Sequence, residues 1–203
     1  MSVKAAAGVA RRGCGDDGLY GLLAEQACAR LHAHTARLHA HTESDPLTAF
    51  LQELCDDLWR ALSPRGLSWI GFYLIDPDAP LLRPQREGAM LLTASRDSPA
   101  CSPIGLHGVC GQAFLQENIR LVEDVAALGS DYIACDPRDR SEIVIPVYRN
   151  SQCIGVLDAD SHEVACFGEV DIRGLTAVLR AARLLDGTPP LHANLLQEIA
   201  RTL

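Results

Sequence analysis

The chain has 203 residues, a net charge of -8 and an isoelectric point near 5.3, with 48% apolar and 22% charged residues. That length suits one globular domain with flanking segments. The acidic balance excludes a nucleic-acid backbone as partner, because no cluster of Lys and Arg could displace its counterions. No apolar run approaches the ~20 residues of a membrane span, and the first residues lack the apolar block of a secretory signal, so a cytoplasmic protein is expected.

The segment from Met1 to Asp16 reads as a disordered tail, with Lys4, Arg11 and Arg12 ahead of its first acid. From Leu19 to about His41, leucines at 19, 22, 23, 31 and 38 recur at helical spacing. His32, His34, His39 and His41 share faces of that helix, and a solvated face is expected rather than a metal site. "SDPLTAFLQELCDDLWRAL" predicts a second helix, with an N-cap and an early proline.

"LSWIGFYLI" is a strand by its β-branched and aromatic content, and its alternation sends Trp69, Gly71 and Tyr73 to one face. "AMLLTAS" reads as its antiparallel partner. A polar loop carrying Cys101 follows, then a short helix in "GLHGVCGQAFLQEN" with Cys110 in its first turn, then the strand "IRLVEDV". "EIVIPVYRNSQCIGVLDADS" is a hairpin turning at Arg149-Asn150-Ser151. A closing helix, "GEVDIRGLTAVLRAARLLDG", stops at Gly187 before Pro189-Pro190. This order predicts an α+β fold, a central antiparallel sheet with helices on its faces, over residues 17–187. Residues 188–203, with Leu191, Leu195 and Ile199 at helical spacing, are expected to form a C-terminal helical extension that packs on a second subunit.

The eight cysteines are too sparse for a disulfide scaffold, and no CxxC or HxxxH spacing suggests zinc, so no metal and no cofactor are expected. Cys28, Cys55 and Cys153 fall in apolar-periodic segments and read as inert core thiols. Cys101, Cys110 and Cys135 do not. A thiol at a helix start, or beside Arg138 or Arg140, would gain thiolate character, which makes these three candidate nucleophiles. Glu142 opens one hairpin strand, and Asp158 and Asp160 close the other on one side of the pleat. Three carboxylates converging near a thiol repel one another unless one is protonated or a cationic ligand fills the gap. Taken singly, each acid reads more simply as a turn residue or as a surface partner of Arg138 or Arg140.

"SWIGFYLI", "PACSPIGLHGVCGQAF", "DYIACDPRDRSEIVIPV" and "IGVLDADS", in this order from about Asp45 to Leu185, resemble the GAF-domain free methionine-R-sulfoxide reductases. The resemblance implies a GAF-like fold and reduction of free methionine-R-sulfoxide to methionine. It implies Cys135 as the nucleophile that becomes a sulfenic acid, Cys101 as the resolving thiol and Cys110 as a relay or alternative resolver, with thioredoxin reducing the disulfide. Glu142, Asp158 and Asp160 would together bind the ammonium group and supply protons to the sulfoxide oxygen, while Trp69 and Tyr73 enclose the methyl-sulfur end. Pairing of terminal helices implies a homodimer. The alternative is a non-catalytic GAF sensor that binds an amino compound in the same pocket; the short ends leave no room for a sensor's output domain. The chain departs from the family pattern on the resolving arm: Cys101 and Cys110 are nine positions apart where ten are expected, and Leu106-His107 replaces a basic residue before GVC.

Overall fold

The computed structural model describes residues 13–37, 46–76, 89–96, 100–131, 135–187 and 189–193. Two helices, α1 (Asp17–Arg37) and α2 (Pro46–Leu62), precede strands β1 (Leu67–Ile75) and β2 (Met90–Arg96). The short helix α3 (Val109–Gln116) leads into β3 (Ile119–Val122). The hairpin β4 (Ser141–Arg149) and β5 (Gln152–Ser161), helix α4 (Glu169–Ala181) and β6 (Leu191–Ala193) complete the order. The sheet runs β2-β1-β5-β4-β3-β6, antiparallel throughout except for the parallel β3–β6 edge.

The predicted antiparallel sheet with helices on its faces is observed. One face packs on α1, α2 and α4: Ile70 and Phe72 of β1, Ile143 and Ile145 of β4, and Leu157 and Ala159 of β5 meet Leu54, Leu58, Leu175 and Leu179 in the main core. The opposite face carries a smaller cluster of Trp69, Tyr73, Val144 and Val156, covered by Ile104, Val109 and Ala113 from α3 and the loop before it. Period-two alternation thus gives each central strand one face per layer. The β4–β5 turn falls where expected, and Asn150 (φ 51°) and Ser151 (φ 61°) supply the two left-handed residues that a tight hairpin needs.

Two expectations need correction. Residues 188–203 were expected to be helical from Leu191, yet Leu191–Ala193 is a strand. Pro189-Pro190 holds the chain extended, and the Pro190 carbonyl accepts from the Ile119 N–H, which starts the parallel ladder on the open edge of β3. Residues beyond 193 lie outside those described. Residues 13–16 were assigned to the tail but are packed: Cys14 is buried, with its Sγ 3.9 Å from the Cys166 carbonyl oxygen. Of the leucines at helical spacing in α1, Leu22 is exposed, and the buried stripe is Tyr20, Leu23 and Ala27. As for the histidines, His32 is exposed, while His34 lies against Phe50 with ring centroids 5.4 Å apart; His39 and His41 lie outside the described residues.

Buried Asp171 at the start of α4 explains why the N-terminal segment is held. Its carboxylate accepts from the Gly15 N–H (2.9 Å), the Tyr20 hydroxyl (2.8 Å) and the Gly168 N–H (2.8 Å), joining strap, α1 and the helix start. Tyr20 then lies flat over Gly174, where a Cβ would collide with its ring. Hydrogen bonds to a charged group contribute about 1.5–3 kcal/mol each, and loss of the acceptor strands the buried donors. Asp171→Ala is therefore expected to lower unfolding free energy by about 3 kcal/mol in urea titration. A loss under about 1 kcal/mol would show that the strap is held by something else.

Candidate active site

The site is built by the register of three strands on the face away from α1, α2 and α4. Asp160 of β5 lies opposite Glu142 of β4 on one side and Trp69 of β1 on the other. One step along, Asp158 lies opposite Val144 and Gly71; the step after places Val156 between Pro146 and Tyr73. Gly71 has a clear use, because a Cβ there would run into the Trp69 ring, which folds over this position. Trp69 and Tyr73 form a tilted pair with centroids 5.9 Å apart.

Over this floor lies a cavity of about 540 Å³, counting its open mouth. Trp69 and Tyr73 wall it together with Ile104 and Val109, and Cys110, Cys135, Glu142, Asp158 and Asp160 reach into it. Cys101 is bonded to Cys135, with Cα atoms 5.4 Å apart. The Tyr73 hydroxyl donates to the Cys101 carbonyl (2.8 Å), so the aromatic wall also fixes the loop carrying that cysteine. The structure therefore gathers all eight candidate side chains at one place. Cys55 is buried; Cys28 and Cys153 are half-buried and lie away from the cavity.

The arginines of the charged loop do not serve the thiol. Arg138 is mostly exposed and forked on Asp136, with Nη2 2.7 Å from Oδ2, and Arg140 reaches Asp124 at 3.4 Å. Neither lines the cavity. The sequence reading placed them beside Cys135, but the turn at 135–139 lets the nearest carboxylate capture Arg138 first. The same geometry removes the surface-pair reading of Glu142, which is buried and has its Oε1 without a hydrogen-bond partner. Asp158 Oδ1 and Trp69 Nε1 are likewise buried and unpartnered.

Buried acids with no cation among the cavity's lining residues are pushed toward their neutral forms. Removal from water, and then the neighbouring Asp158, raises the Glu142 carboxyl well above its ordinary value, and the Asp160 carboxyl for the same two reasons in the same order. Burial raises Asp158 to about 7, opposed by the Cys110 thiol, which donates to its Oδ2 at 3.1 Å. Burial first, and Asp158 second, pushes that thiol up as well, so Cys110 stays protonated where a resolving thiol would need to ionise. The cavity thus holds proton donors on its floor, an apolar aromatic wall and a sulfur at its side.

Sequence reasoning missed Asp139. It is buried and lines the cavity, and burial with Asp136 beside it raises its carboxyl to about 6. Its signal was hidden in a run of loop charges that read as mutual salt partners. His162, exposed at the rim, lies 3.5 Å from Asp136 and 3.7 Å from Asp139.

The comparisons agree with this architecture. The GAF domain family model matches residues 44–184, and the chain belongs to the GAF domain family. Among curated relatives, it is 37% identical to the free methionine-R-sulfoxide reductase of Escherichia coli over 63% of this chain and 72% of that protein. It is 38% identical to GAF domain-containing protein A of Dictyostelium discoideum over 58% of this chain and 67% of that protein. Among solved structures, the free methionine-R-sulfoxide reductase of Neisseria meningitidis, in complex with its substrate, superposes with a TM-score of 0.65 at 31% identity, covering 86% of this chain and 93% of that one.

The raised carboxyls set a stability profile. An acid whose pKa is higher in the folded state than in the unfolded state contributes stability below its unfolded value and loses it as pH rises through its folded value. For Asp139 (about 6) and Asp158 (about 7) that loss falls between about pH 4 and 8. Asp136, held low by the Arg138 guanidinium, loses its contribution only at more acidic pH. The ligand-free protein should melt about 5 °C higher at pH 5 than at pH 8, on the order of 2 kcal/mol, and Glu142→Gln should reduce that difference. A thermal melt that is flat, or rises with pH, would contradict the burial of these acids.

Proposed function

We propose that this protein reduces free methionine-R-sulfoxide to methionine. The observation that carries the reading is a bonded cysteine pair, Cys101–Cys135, at the side of a cavity with a floor of buried, unpartnered carboxyls. The relatives named above support it. In this reading the Cys135 thiolate attacks the sulfoxide sulfur, and Glu142 or Asp160, held neutral by burial, protonates the oxygen. Oxygen passes to the Cys135 sulfur, which becomes a sulfenic acid, and methionine leaves with its sulfur reduced by two electrons. The Cys101 thiol then attacks the Cys135 sulfur, and the S–O bond breaks with release of water. The product is the disulfide, which an external dithiol such as thioredoxin reduces by exchange.

Substrate fit follows from the same surfaces. The methyl and sulfur would lie against Trp69 and Tyr73, and the ammonium answers the carboxyls. The first turn of α3, at Val109 and Cys110, lines the cavity and has backbone N–H groups free of intrahelical bonds, which suits the α-carboxylate. Cys110 acts in this scheme as a hydrogen-bond donor to Asp158 and not as the first resolving thiol. No described helix is long and apolar enough to cross a membrane, and a reaction that depends on thioredoxin fits a reducing, cytoplasmic setting.

An NADPH-coupled assay with thioredoxin and thioredoxin reductase tests this. Turnover should be confined to the free R epimer and absent in Cys135→Ser. Cys101→Ser should release about one equivalent of methionine per chain in a single turnover, with steady-state turnover down about 100-fold. Cys110→Ser should stay within about tenfold of the parent. Turnover of the S epimer, or full activity in Cys135→Ser, would overturn the assignment.

A further inference from the structure

Asp139 has no place in the scheme above, yet it lines the same cavity. Its side chain is 5% exposed, and its Oδ1 lies 3.4 Å from the Ser68 hydroxyl and 3.7 Å from His162 Nε2. The pairing of Ser141 with Ser161 puts residue 162 one side-chain row beyond the Glu142–Asp160 pair, on the side of Asp139. Rows on one face of a strand are roughly 7 Å apart. The ammonium nitrogen and sulfur of a free amino acid of methionine length, with three carbons between them, are on the order of 5 Å apart. A ligand whose sulfoxide oxygen meets Glu142 would therefore have an ammonium within reach of Asp139.

The acids of the cavity also divide by charge. Glu142 and Asp160 are pushed far up and serve as neutral donors, Asp158 is raised to about 7, and Asp139 rises only to about 6. At neutral pH the rim acid is thus the most completely ionised of the four. Glu142 Oε1 and Asp158 Oδ1 in the same cavity have no hydrogen-bond partner and are open to a polar ligand.

We propose that Asp139 is the counter-ion for the substrate's α-ammonium group and that His162 is a positioning residue, holding that carboxylate at the rim. This rests on reading the cavity as a site for a free amino acid. It gives a reason for rejecting N-acylated or peptide-linked methionine, which would leave Asp139 buried against an uncharged amide.

Calorimetric binding of L-methionine and N-acetyl-L-methionine, together with steady-state kinetics on free methionine-R-sulfoxide, tests it. Asp139→Asn should weaken L-methionine binding about tenfold or more and raise KM in parallel, with kcat within about threefold. N-acetyl-L-methionine should bind weakly to both proteins, to the same degree. Asp139→Glu should recover part of the affinity. In the parent, KM should fall several-fold from pH 5.5 to 7.5 as Asp139 ionises. The groups facing Asp139 are Asp136, Arg138 and His162 at the rim and Glu142, Asp158 and Asp160 across the cavity. That pH dependence should be lost in Asp139→Asn and shifted in His162→Gln, which a purely structural role for either residue would not produce. Methionine affinity within twofold of the parent in Asp139→Asn would overturn the inference, as would an equal loss for the acetylated compound. Binding that depends on Asp139 without turnover by the parent would sink the reductase reading and leave this one standing. No methionine binding by the parent would sink both.

Discussion

The register of β5 between β1 and β4 is the constraint on which the rest depends. Along β5, Leu157 and Ala159 face the helices while Asp158 and Asp160 face the cavity, and a slip of one residue would exchange them. Ile143, Ile145 and Leu157 are essentially fully buried. Their burial contributes about 1.5–3 kcal/mol each, about 5–9 kcal/mol in sum. Keeping Asp158 ionised against a pKa raised to about 7 costs on the order of 4 kcal/mol, and protonation caps that cost. Ile70, Phe72 and Ala159 add to the same apolar face, which sets the register that the acids follow.

From that register the site assembles by short-range effects. Burial first, and the neighbouring Asp158 second, holds the opposed Glu142 and Asp160 toward their neutral, proton-donating forms. A glycine at position 71 leaves room for the Trp69 ring, and Tyr73 spends its hydroxyl on the Cys101 carbonyl. The aromatic wall and the thiol loop are therefore one unit, and a shift in β1 would be felt at the sulfur.

What could be read from the chain, and what could not, divides along the same line. Glu142, Asp158 and Asp160 were legible because strands have a strict period of two, and period plus antiparallel pairing places side chains on a common face. The Asn150-Ser151 turn was legible because its chemistry is local. The partners of Arg138 and Arg140, and the inward turn of Asp139, were not, since an irregular loop has no period to project from. The β6 strand was hidden for a different reason: Leu191, Leu195 and Ile199 do have helical spacing, but an open edge on β3 and two prolines decide for extension over Leu191–Ala193. The tie of Asp171 to Gly15 and Tyr20 was not legible, because those partners lie more than 150 residues away.

Cys101 and Cys110, nine positions apart, have separate settings in the fold. Cys101 still reaches Cys135, with a Cα separation of 5.4 Å that lies inside the ordinary range for a bonded pair. Backbone bonds between Met90 and Ile104 anchor the loop on one side, and the Tyr73 hydroxyl anchors it at Cys101 itself. Between those anchors and α3, Gly105 and Gly108 line the cavity and His107 faces solvent. Helix α3 presents the Cys110 thiol to Asp158, in a setting that keeps it protonated. The Cys101 arm therefore reaches its partner sulfur, while Cys110 stands over the acid floor as a protonated thiol that donates to Asp158.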